Sequence, residues 1–74
     1  MKYYEAIRAA IEFEQLLRVK YKGEIRVVQP LKIRHTSRSI VVETYQYYGV
    51  KRRRFLDKQG FRKLKLFDME VLDY

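Results

Sequence analysis

The chain has 74 residues, a net charge of +8 at pH 7, 35% charged residues, one histidine and no cysteine. That length allows one domain, which buries only roughly 60% of the surface its unfolded chain exposes and leaves little room for a deep substrate pocket. The missing thiols exclude disulfides and thiolate metal sites, and a lone histidine excludes the usual zinc constellations.

No apolar stretch exceeds four residues, so no membrane span is expected, and the N-terminus lacks the apolar core of a signal peptide. The expectation is a cytoplasmic protein with no metal and no cofactor. Asparagine and tryptophan are absent as well, and the richness in Lys, Arg and Glu fits a thermophilic source. Charge is unevenly spread: residues 1–17, 18–65 and 66–74 carry −1, +12 and −3. A basic block of that size repels itself unless it is dispersed or meets an anionic partner.

In chain order, the first fifteen residues read as an amphipathic helix. At 100° per residue, Tyr3, Tyr4, Ala6, Ile7, Ala10, Ile11 and Phe13 share an apolar side over 3–15. Glu14 falls on that side, so the helix is expected to fray or turn there. From Leu16 onward the period becomes two. Leu17, Val19 and Tyr21 alternate with Arg18, Lys20 and Lys22 in a half-buried strand. Gly23 marks a tight turn, and Ile25 to Gln29 the returning strand. Pro30 signals a strand end or an edge, and Leu31 and Ile33 alternate with Lys32 and Arg34 in a third strand.

His35 to Arg38 reads as a polar turn before a β-branched and aromatic run from Ser39 to Tyr48, which Gly49 is expected to interrupt. Lys51 to Arg54 fits either a strand edge or a loop. Asp57 to Gly60 is a turn. Leu64 and Leu66 alternate with Lys63 and Lys65 in the last clear strand, and Met69, Val71 and Leu72 pack after it. The predicted fold is mainly β (α+β): an N-terminal helix, then over 16–74 a five-stranded curled antiparallel sheet or a small SH3-like or Sm-like barrel. The expected core is Ile7, Ile11, Leu17, Val19, Ile33, Val42, Leu64 and Leu66.

Nothing in the sequence assembles a catalytic centre. His35 between Arg34 and Thr36 reads as a turn residue rather than a base, and the three glycines are isolated, so no phosphate-cradling loop is present. The protein is expected not to be an enzyme.

The basic residues carry more information. Parity puts Arg18, Lys20 and Lys22, then Lys32 and Arg34, then Lys63 and Lys65, on the outer faces of their strands. On neighbouring strands they form one patch, with few acids to neutralise it, suited to a polyanion. The second candidate is Tyr45, Tyr47 and Tyr48 followed by Lys51, Arg52, Arg53 and Arg54, since tyrosine stacks on bases and arginine pairs with phosphate. Parity places Tyr48 opposite Tyr45 and Tyr47. Arg38, in the polar turn, joins the candidate contacts.

The order of features resembles the WYL domain, a small barrel of bacterial and archaeal transcription regulators. The match runs from Ile7 to Ile33 through Ala10, Ile11, Leu17, Val19, Tyr21, Gly23, Arg26, Val27 or Val28, Pro30 and Leu31, and again through Leu64, Lys65 and Leu66. Two departures stand out. Ser39-Ile40-Val41 replaces the tripeptide that names the family, and Asp68 stands where the family's closing strand has a ligand-binding Arg. The resemblance implies a diverged or free-standing barrel, of archaeal or viral origin, and a regulatory role.

The function expected is noncatalytic, sequence-nonspecific nucleic-acid binding, with DNA the first choice and RNA left open, in transcription regulation or chromatin. The alternatives are a protein-interaction or homodimerising module, and a WYL-like domain that senses a nucleotide ligand.

Overall fold

The computed structural model describes residues 3–56 and 59–72. The Asp57-Lys58 half of the expected turn lies outside them. A short helix, α1 (Tyr4–Glu12), is followed by β1 (Leu17–Tyr21), β2 (Glu24–His35), β3 (Ile40–Lys51), β4 (Arg54–Leu56), β5 (Gly60–Lys65), a 3-10 turn (Leu66–Asp68) and β6 (Met69–Val71).

The helix is shorter than its apolar periodicity. It buries Ile7 and Ala10 and closes with two C-terminal bonds, Gln15 N–H to the Ala10 carbonyl and Glu14 N–H to that of Ile11. That pairing is the Schellman arrangement, which needs a left-handed residue after the cap. Glu14 supplies it at φ 53°, where glycine is the usual choice. The chain therefore turns at Glu14 as expected, but Phe13 is left exposed rather than packed.

Among the described residues, six antiparallel strands occupy five positions, in the order β6-β1-β2-β3, with β4 and β5 sharing the far edge of β3. No ladder among the described residues joins β6 to β4 or β5, so the sheet is curled but open and not a closed barrel. Two adjoining 12-residue strands, β2 and β3, form its spine.

Three punctuation marks of the sequence have a different meaning in the structure. Pro30 does not end a strand: it sits inside β2 opposite Thr44, and the next residue, Leu31, is an unpaired extra before Lys32 meets Glu43. The bulge comes at once after the residue that cannot donate to the ladder. Gly49 does not interrupt β3. It is buried, and a β-carbon there would overlap the Glu24 carboxylate. Lys51 to Arg54 is neither plain edge nor plain loop, but a two-residue hairpin turn between β3 and β4. Arg52 and Arg53 both take positive φ (52° and 61°), the geometry such turns demand, and so do Lys22 (51°) and Gly23 (76°) in the β1–β2 turn.

The core lies between α1 and one face of the sheet. It comprises Ile7, Ala10, Leu17, Val19, Tyr21, Val28, Ile40, Val42, Leu64, Leu66, Met69 and Val71, with Ile11 and Ile33 only partly buried at its margin. The strict alternation of burial in β1 is what period two predicts for a half-buried strand. Beside the aliphatic core, Arg26 donates to the Gln46 side-chain oxygen at 3.2 Å, faces the Glu24 carboxylate at 3.5 Å and stacks its guanidinium 5.2 Å from the Tyr21 ring centre. Arg26 thus serves the interior, not the outer surface.

Candidate nucleic-acid interface

Strand register arranges the outer face, opposite the core, in rows. Arg18 of β1 neighbours Val27 of β2, which neighbours Tyr48 of β3. Lys20 neighbours Ile25, which neighbours Val50. Gln29 is followed across the sheet by Tyr45 and Phe61, Lys32 by Glu43 and Lys63, and Arg34 by Val41 and Lys65.

An apolar and aromatic belt therefore crosses the middle of the face. Tyr45 is half-buried and meets Tyr47 on one side and Phe61 on the other, each edge-to-face with ring centres 5.1 Å apart. The Tyr47 hydroxyl donates to Gln29 at 3.2 Å, which fixes that ring's direction. Tyr47 is 37% exposed, Tyr48 38% and Phe61 74%.

Parity predicts that Tyr47 and Tyr48 point to opposite faces, and the structure overturns this. The pairing passes from Val27 opposite Tyr48 to Val28 opposite Gln46, so Tyr47 is the extra residue of a second bulge. Two consecutive residues then oppose Val27, and both rings emerge on the outer side. A regular strand would have buried one of them. The bulge at Leu31 acts likewise on β2, leaving both Leu31 and Lys32 exposed.

All the sequence-predicted contacts, Arg18, Lys20, Lys22, Lys32, Arg34, Arg38, Tyr47, Tyr48, Lys51, Arg52, Arg53, Arg54, Lys63 and Lys65, are exposed. They do not form one patch. β1 and β5 are separated by β2 and β3, so the cations divide on either side of the belt. One group collects around the β1–β2 and β3–β4 turns with Arg18, Lys20, Lys22 and Lys51 to Arg54. The other holds Lys32, Arg34, Arg38, Lys63 and Lys65. Nor is the surface free of acids. Glu43 stands between Lys32 and Lys63 and accepts a hydrogen bond from Arg34 Nε, and Glu70 lies across from Lys20.

Phe61 is an exposed ring of this face that is absent from the sequence-predicted set. The signal was available: it shares strand parity with Lys63 and Lys65, the outward side of β5. Beside it, a mainly apolar groove of about 550 Å³ runs between Leu31 and Phe61, bordered by Glu43, Thr44, Arg62 and Lys63. A more polar groove of about 620 Å³ lies between α1 and the end of β2, where the Tyr4 hydroxyl and His35 Nε2 are 3.2 Å apart.

Among the described residues, no cluster of three His, Cys, Asp or Glu side chains could hold a metal ion, and no helix is long and apolar enough to cross a membrane. Comparison of the chain with protein-family models, curated proteins and solved structures gives no match, so the interface is read from its own residues.

Proposed function

We propose that the chain is a noncatalytic nucleic-acid-binding protein that uses the outer face of its sheet. The observation that carries this reading is the belt of exposed Tyr47, Tyr48 and Phe61 set between two groups of lysine and arginine. Cations on both sides can follow a phosphate backbone, and rings between them offer π-faces to bases. A surface kept only for solubility has no use for three exposed rings in its centre.

The test is a binding titration with labelled DNA and RNA, in duplex and single-stranded form, over a range of salt. Contact with phosphates predicts that log K falls linearly with log salt, because each neutralised phosphate releases condensed counterion. Absence of binding to every nucleic acid at low salt refutes the proposal.

One observation favours a second reading, association with another copy of the chain. Among the described residues nothing pairs with the outer edges of the sheet, at β6 and along β4 and β5, and unpaired strand edges recruit further strands. Light scattering at high concentration and low salt that returns a monomer removes it.

A further inference from the structure

Resting on the proposal above, we infer that the ligand of this face is single-stranded nucleic acid, held by base stacking on Tyr47, Tyr48 and Phe61 rather than by phosphate contact alone. The argument begins with where the rings are. Bases inside a duplex already cover one another's faces, so a ring reaches them there only by wedging a step open at the cost of its stacking, whereas bases of a single strand offer their faces without that cost. Here the centre is aromatic and the cations lie to either side.

The second part of the argument is preorganisation. Tyr47 is held by its bond to Gln29 and by a T-shaped contact with Tyr45, and Phe61 by a T-shaped contact with the same ring. The bulge at Tyr47 brings a further ring, Tyr48, to the same face. A base laid against Phe61 also meets the apolar groove toward Leu31, with Lys63 at its border to receive the adjoining phosphate. Outer positions along β5 repeat about every 6.8 Å, so Lys65 continues the phosphate track beyond Lys63. About two or three bases fit the rings present, the number that sheet-borne aromatics take elsewhere.

The experiment compares single-stranded DNA of about twelve nucleotides, a length within the usual range for such sites, with a duplex of equal length. Anisotropy reports affinity, and tyrosine fluorescence reports stacking. The expected result is single-strand binding on the order of tenfold tighter or more, with tyrosine quenching, since each stacked base contributes a factor of about 5 to 150. Phe61→Ala should weaken single-strand binding by a factor in that range and leave duplex binding unchanged. Phe61 is largely exposed, so folding is preserved, and thermal melting checks this. Phe61→Leu, which keeps apolar bulk but removes the ring, should lose as much. The same comparison in RNA identifies the preferred sugar, and a preference for single strands in either sugar supports the inference.

Duplex binding as tight as single-strand binding, insensitive to Phe61→Ala, overturns the stacking inference and leaves nucleic-acid binding standing. Failure of every oligonucleotide at low salt overturns both. Self-association abolished by Phe61→Ala, with no oligonucleotide bound, likewise overturns both and assigns the belt to a second copy of the chain.

Discussion

Replacing Glu43 by glutamine should tighten nucleic-acid binding while making the protein less stable. Glu43 sits on the outer face of β3 between Lys32 of β2 and Lys63 of β5, and it accepts from Arg34. Its carboxylate holds at least one cation away from a phosphate. Freeing one cation adds one contact, and each contact on a single strand steepens the log–log salt slope by about 0.7. Referred to 1 M salt, that is about a fivefold gain in affinity at 0.1 M. Stability moves the other way. Exposed ion pairs and cross-strand charge pairs are each worth up to about 1 kcal/mol, so the variant should lose about 0.5–1 kcal/mol. In a domain of this size, that lowers Tm by roughly 2–8 °C. A salt-titrated anisotropy assay beside a thermal melt measures both. Unchanged or weaker binding by a folded variant refutes the placement of Lys32, Arg34 and Lys63 on the phosphate path.

Three further outcomes test the fold. Leu64→Ala, at a position 2% exposed in the middle of the core, should cost about 2–5 kcal/mol in urea unfolding; a cost well under 1 kcal/mol refutes its central place. Glu14→Gly should stabilise by about 0.5–1 kcal/mol, because glycine takes the left-handed cap without the β-carbon clash; a destabilised variant contradicts the cap geometry. Gly49→Ala should cost about 1–3 kcal/mol through its overlap with the buried Glu24 carboxylate; a neutral result means that the Glu24 side chain gives way freely.

The sequence by itself determined whatever depends on near neighbours along the chain. The period of two in Leu17-Arg18-Val19-Lys20-Tyr21 settles which residues of β1 are buried, because successive side chains must point to opposite faces. The turn at Gly23 and the change of direction at Glu14 are likewise local, governed by which residues can take positive φ or belong on an apolar side. The tertiary structure decided the features that depend on the partner strand. A bulge is a mismatch between two ladders, so Tyr47 carries no sign of it in its own neighbourhood and Leu31 only the preceding Pro30, which fits a strand end or an edge as well; yet each reverses the parity of the residues beyond it. Pro30 and Gly49 looked like breaks because their local cost is visible in sequence, while the compensating bulge and the Glu24 carboxylate depend on other parts of the chain. The division of the cations came from strand order, and the pairing of Arg34 with Glu43 from register. Parity tells a side chain which face it takes; only the packed sheet tells it which neighbours it will meet there.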